Sequence, residues 1–259
     1  MPVDIPPGDP PDTPDVPDTP ADADEPARPK PRWGVGDVIL GLVVGLVLSS
    51  VLAGIWLGAS GDEELSMGGK AFSQMGLWIG LVGSAVLATR RKGSGSLAVD
   101  FGWAVRKVDL ALGVAVGIGA QLVIIPGVAL LLRPLLGKPE VSGPVRKLID
   151  EANGAALVGL ILIAVVGAPL VEELFFRGLL LRSIEKRLGP VWAIVGSSVF
   201  FGVAHPQDLG FKGQTMVMVA LAMFGAALAT LAVKTRRLGP GIVAHASFNL
   251  ISLVVAIHT

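Results

Sequence analysis

The chain has 259 residues, 52% hydrophobic and 16% charged, with a formal net charge of zero and a mean hydropathy of +0.68. A soluble domain carries about a quarter charged residues; here the apolar residues fall in runs long enough to cross a bilayer, which excludes an ordinary soluble globule. With no cysteine, disulfides, thiolate catalysis, Cys-ligated zinc and Cys lipidation are excluded too.

Residues 1–32 are rich in Pro and Asp and carry eight acidic and three basic side chains. They have almost no large apolar residues to offset chain entropy, so a disordered tail is expected, with partner docking as its functional alternative. No basic n-region precedes a short apolar stretch, so the segment does not read as a signal peptide.

Seven apolar runs follow, at 38–59, 71–89, 110–132, 154–181, 190–204, 214–233 and 240–257. The fold class they predict is all-α: a polytopic membrane helical bundle of about seven transmembrane helices. Residues 33–153 form N-terminal helices and connectors, and 154–257 a C-terminal core. Phe101 and Trp103 in the 94–107 connector suit the headgroup level, and Pro126 is expected to kink the third span. The 133–153 loop is read as polar. With seven spans, Arg28, Lys30, Arg32, the 90–107 connector, the 182–187 turn and Lys234, Arg236 and Arg237 share one side. Positive residues mark that side as cytoplasmic, together with the N-terminus. Four bases at 133–153 run against this order; a re-entrant segment or an eighth helix is the alternative.

The strongest chemical signal is A-P-L-V-E-E-L-F-F-R at 168–177. A charge at membrane depth costs about 2.5–3.5 kcal/mol on insertion scales, so an intramembrane carboxylate is a functional candidate by default. Arg177 lies four residues after Glu173 on the same helix face, so a buried ion pair fixing helix packing is the reading for that pair. Glu172 points about 100° away around the helix and is left for another task. Pro169 removes one helical hydrogen bond and is expected to free the Val165 carbonyl.

Three histidines are present. His258, beside the C-terminus, reads as incidental. His245 and Asn249 are four apart and share a face. His205 ends the fifth span, 16 residues after Gly189, and Glu172 lies 16 residues before Leu188. In a hairpin turning there, both sit about 24 Å from the turn and level with each other. The count makes 206–213 irregular backbone lining a hydrated cavity, shielded from lipid. In this setting Glu172 can take a proton from water, and His205 can share that water or protonate a leaving amine. His245 and Asn249 can donate to an oxyanion. Glu172, His205 and His245 are equally a His₂Glu zinc set with one open position, although no H-E-x-x-H pattern is present. Residue types leave both open.

E-E-L-F-F-R at 172–177, F-G-V-A-H at 201–205 and H-A-S-F-N at 245–249 lie in order on separate spans. With these motifs the sequence resembles, over about 154–256, the CAAX-processing and bacteriocin-processing (CPBP, or Abi) family of intramembrane proteases. The resemblance implies a CAAX-prenyl-protease-like intramembrane endopeptidase. In it Glu172 and His205 activate water, His245 and Asn249 form the oxyanion site, and Glu173, Arg177 and Phe201 support them. It implies no required cofactor in a glutamate mechanism, or zinc on Glu172, His205 and His245 in a metalloprotease. The expected partners are a peptide or membrane-protein substrate and the lipid bilayer, with no nucleic acid. An Ala/Gly/Val-rich chain of this kind is expected in a bacterial cytoplasmic membrane. A non-catalytic peptide-binding, immunity or scaffold member of the family is the alternative; a proton-relay transporter would require a matching second acidic helix.

Overall fold

The computed structural model describes residues 31–152 and 154–258; the expectations for the acidic tail fall almost wholly on 1–30, outside those residues. Among the described residues all regular structure is helical, and six helical stretches are long and apolar enough to cross a membrane. The chain is an all-α, polytopic integral membrane protein.

Helix α1 (Val35–Ser60) starts where Asp37 accepts a hydrogen bond from the Gly34 amide and stops at left-handed Gly61. Helix α2 (Met67–Lys92) is capped by Ser66, which accepts from the Gly69 amide, and ends on Arg90, Arg91 and Lys92. Those bases complement the negative end of the helix dipole. Glycines let α1 and α2 meet backbone to backbone: a Cβ on Gly80 would lie 2.2 Å from the Gly45 nitrogen, and one on Gly76 2.5 Å from the Ser49 nitrogen. Small residues are how apolar helices gain contact where lipid supplies no hydrophobic drive.

A short helix, α3 (Leu97–Phe101), lies in the connector, with Phe101 buried edge-on against Trp33. Helix α4 (Lys107–Leu136) crosses next. The irregularity expected near Pro126 takes the form of a π-helical turn at Ala120–Ile124, which absorbs the missing proline N–H ahead of it. The 133–153 segment is not simply a polar loop. It contains α5 (Gly143–Glu151), started by Pro144 and tied to α2 by Lys70 and Glu151, 3.5 Å apart.

The stretch Ala155–Val203 is long enough for two crossings, and it breaks at Gly189 (φ 79, ψ 175) just before Pro190. That backbone is open to glycine, and proline cannot continue the preceding helix. The two arms, α6 (155–188) and α7 (190–203), fold back on each other; Phe176 meets Phe201 with ring centroids 5.1 Å apart. Helices α8 (Gly210–Thr235) and α9 (Gly239–His258) complete the bundle. Among the described residues the six apolar stretches thus give seven membrane rods.

One end of the bundle, the α1 end, is tied by polar contacts. Lys92 pairs with Asp37 at 2.6 Å, Arg237 with Asp109 at 2.6 Å and Arg236 with Glu185 at 2.9 Å. The Leu238 amide donates to the Gly102 carbonyl at 2.8 Å. The opposite end carries 61–66, 137–152 and 204–209.

The glycine seam predicts that Gly80→Leu forces α1 from α2 and lowers stability by about 1–3 kcal/mol, the usual cost of overpacking. A Cβ on Gly54 meets nothing within 4 Å, so Gly54→Ala is expected to leave the midpoint nearly unchanged. Thermal unfolding of both variants in detergent checks this.

Candidate active site

The site is built on α6. Residues Glu173–Leu180 form a π-helical segment in which every residue is buried; π geometry is frequent at functional sites. The Glu173 and Arg177 side chains are both 0% exposed, with Oε1 and Nη1 3.1 Å apart, so the expected ion pair forms. Arg177 also lies 4.2 Å over the Phe201 ring and donates to the Gly225 carbonyl at 3.3 Å. The pair has a further partner that sequence spacing did not reveal: Glu173 Oε1 is 3.2 Å from His245 Nδ1. That approach depends on Gly241, where a Cβ would stand 2.7 Å from Glu173 Oε2.

Glu172 faces a different set of groups. Its Oε2 lies 3.4 Å from His205 Nε2 and 3.8 Å from His245 Nε2, so the structure brings together the three residues that the chain separates. His205 Nδ1 is 2.6 Å from the Phe201 carbonyl. A carbonyl only accepts, so Nδ1 carries the proton there, and a carboxylate imposes the same tautomer on His245 through Glu173. Both Nε2 atoms are then lone pairs aimed at the Glu172 carboxylate. Three acceptors converge, and Glu172 Oε2 is buried without an oriented hydrogen bond among the described residues. Such a cluster is satisfied by an added proton, by a water that donates to two of its members, or by a cation.

Asn249 has a task created by Pro169. Leu162–Gly167 is π-helical, with the Ala168 amide donating to Ile163, five residues back. In that register the next carbonyl, Ala164, faces Pro169, which has no N–H. Asn249 Nδ2 supplies the donor at 2.8 Å. The carbonyl that Asn249 answers is thus Ala164, one residue before the expected Val165, as the π register places it opposite Pro169. The second N–H of Asn249 remains for the cavity that this residue lines. His258 is exposed and bonds to the Val254 carbonyl in its own helix.

A cavity of about 560 Å³ reaches Glu172, Phe201, His205, Phe224, His245 and Asn249. A second, of about 450 Å³, meets the same Glu172 and His205 from the side of α1 and α2, between Leu46, Leu77 and Phe200. Of residues 206–213, only Pro206 lines either cavity, and Phe211 is 82% exposed. Asp208 and Leu209 line a separate cavity of about 590 Å³ with Lys70 and Glu140, and 210–213 are already helical, so the irregular, shielded, cavity-lining backbone expected over 206–213 forms only in part. From Pro190 to His205 the chain rises about 24 Å, so the residues beyond reach the end of the bundle.

The donor types of Glu172, His205 and His245 are those of a zinc hydrolase, and their outer nitrogens bond to a carboxylate and a carbonyl, as zinc-bound histidines do. Among the described residues, however, no group of three such side chains closes to metal-holding spacing. The Glu172–His245 separation of 3.8 Å exceeds the roughly 3.3 Å edge of a tetrahedron with bonds near 2 Å.

Residues 154–251 match the family model described as Type II CAAX prenyl endopeptidase Rce1-like. No curated protein and no solved structure matches the chain. The matched region holds all three motifs and agrees with the CPBP resemblance: over these residues the chain is similar to a membrane protease family.

Arg177→Met leaves the Glu173 carboxylate buried and uncompensated, which costs about 3–5 kcal/mol. The double variant Glu173→Gln/Arg177→Met removes both charges and is expected to recover more than half of that loss. A double-mutant cycle by chemical denaturation in detergent measures it.

Proposed function

We propose that this Rce1-like membrane protein is an intramembrane endopeptidase that hydrolyses a peptide bond with water activated by Glu172. The observation that carries the reading is the convergence of the Glu172 carboxylate with two histidine Nε2 atoms at 3.4 and 3.8 Å, at the inner end of a mainly apolar cavity. A water placed there donates to Glu172 and His205. As its oxygen attacks the substrate carbonyl carbon, Glu172 takes one proton. The oxyanion is met by the second N–H of Asn249 and by His245 Nε2 when the added proton that the three converging acceptors call for sits there, its charge balanced by Glu173 at Nδ1. On collapse the C–N bond breaks and Glu172 returns the proton to the leaving amine, with His205 as partner in the transfer.

Arg177 and Phe201 act indirectly. Arg177 holds Glu173, and the Phe201 carbonyl fixes the His205 tautomer, a positioning role the sequence assigned only as support. The preferred chemistry needs no cofactor; zinc held by Glu172, His205 and His245 would supply Lewis-acid activation of the same water. The proposed setting is a bacterial cytoplasmic membrane, with the N-terminus cytoplasmic and a peptide or membrane-protein segment as substrate. Type II CAAX prenyl endopeptidases give the family its name; a prenylated substrate is not part of this proposal.

In proteoliposomes with a peptide library, Glu172→Ala and His205→Ala are each expected to lower cleavage at least 10²-fold while thermal unfolding stays cooperative. Cleavage at the wild-type rate by both variants would refute the mechanism, and peptide binding without cleavage by the wild type would favour the scaffold alternative. Chelator treatment is expected to leave cleavage unchanged; stoichiometric zinc whose removal abolishes cleavage would replace the glutamate mechanism with a metal one.

A further inference from the structure

The 560 Å³ cavity that holds Glu172, His205, His245 and Asn249 extends toward one end of the bundle, and α2 serves as a ruler for it. The α2 residues that line it run from Met67 to Trp78 and none lies beyond. From Trp78, which lines the cavity with Glu172, to Met67 is about 16 Å along the helix. Helix α6 repeats the pattern, lining the cavity from Ala156 to Glu172 and not after. Past Glu172 the residues of α6 from Glu173 to Ser183 are all buried, with the Glu173–Arg177 pair across the path; of these only Phe176 lines the smaller cavity beside α1 and α2. The 560 Å³ cavity is thus closed along α6 toward the end where α1 begins, and its mouth lies at the other end, among Lys70, Leu148 and Ala156.

The two ends differ in charge. Twelve Lys and Arg flank the spans at the closed end, from Arg32, the 90–107 connector, the 182–187 tip and 234–237. Six lie at the mouth end, where seven acidic residues, including Asp62, Glu63 and Glu64, accompany them. Excess Lys and Arg marks the cytoplasmic end.

We infer that the site is loaded from the extracytoplasmic face, by an apolar, extended peptide segment presented there. The lining supports this chemistry: Leu160, Ile163, Leu221 and Phe248 offer apolar walls. An extended chain at about 3.3 Å per residue needs on the order of five residues to run from the mouth to Glu172. The inference rests on the endopeptidase reading for its substrate but not for its sidedness.

The chain has no cysteine, so single cysteines report without background. Ala156→Cys and Lys70→Cys mark the mouth; Arg187→Cys and Lys234→Cys mark the closed end. In intact cells a membrane-impermeant, bulky maleimide is expected to label the first two and to reach the last two only after permeabilisation. Labelled Ala156→Cys is expected to cleave an apolar test peptide at least 10-fold more slowly than the same variant unlabelled, and labelled Arg187→Cys at its unlabelled rate. Labelling of the mouth cysteines only after permeabilisation overturns the inference while leaving proteolysis intact. A wild-type protein that cleaves nothing overturns the proteolytic reading, and the labelling pattern still decides which face the mouth is on.

Discussion

The buried pair of Glu173 and Arg177 is the interaction on which the rest of the site hangs. Two charges with 0% exposure are tolerable in a bundle core only when each meets the other, and further polar or aromatic contacts lower the cost. Arg177 also meets the Phe201 ring and the Gly225 carbonyl, which fastens α6 to α7 and α8, while its Nε is buried without a hydrogen bond among the described residues. Glu173 reaches His245, which fastens α6 to α9. Phe201 then hands its carbonyl to His205. The pair thus sets the tautomer of His245 directly and packs against the residue whose carbonyl sets that of His205.

Backbone irregularity does the complementary work. Pro169 makes the α6 ladder incomplete, the π turn moves the orphaned carbonyl to Ala164, and Asn249 answers it from α9. The same chain segment widens on one side into the cavity and closes on the other into eleven consecutive buried residues. The asymmetry that turns the 560 Å³ cavity toward one end follows from where the proline, the carboxylates and the phenylalanines fall along one helix. Glycines finish the fit: a Cβ at Gly167 would stand 2.3 Å from the Trp78 ring, and one at Gly202 2.3 Å from the Met218 carbonyl.

Much of this was legible in the sequence because membrane physics leaves few options. Long apolar runs must be helices, and Gly189-Pro190 must end one, so the seven rods and the Glu172–His205 level followed from counting residues alone. The Glu173–Arg177 pair followed from spacing. The contact between Glu173 and His245 did not, since 72 positions separate them and helix periodicity carries no information on which faces meet. The π segments were equally hidden: they arise from how proline and neighbouring helices trade carbonyl partners, and shift pairing by one residue. Helix α5 was masked by its charged residues, which its place at the end of the bundle lets it keep in water. The 206–213 expectation erred on length, because α7 together with Ala204 and His205 already covers most of a bilayer.

Two adjacent carboxylates thus divide into a reacting group, Glu172, and a holding group, Glu173, and a paired isosteric comparison tests that division most directly. Glu172→Gln and Glu173→Gln are measured side by side for peptide cleavage and for thermal midpoint in the same detergent. The account predicts that Glu172→Gln abolishes cleavage with its midpoint preserved, whereas Glu173→Gln lowers the midpoint because Arg177 and His245 lose their charged partner. A Glu172→Gln protein that cleaves at the wild-type rate, or a Glu173→Gln protein as stable as the wild type, would contradict it.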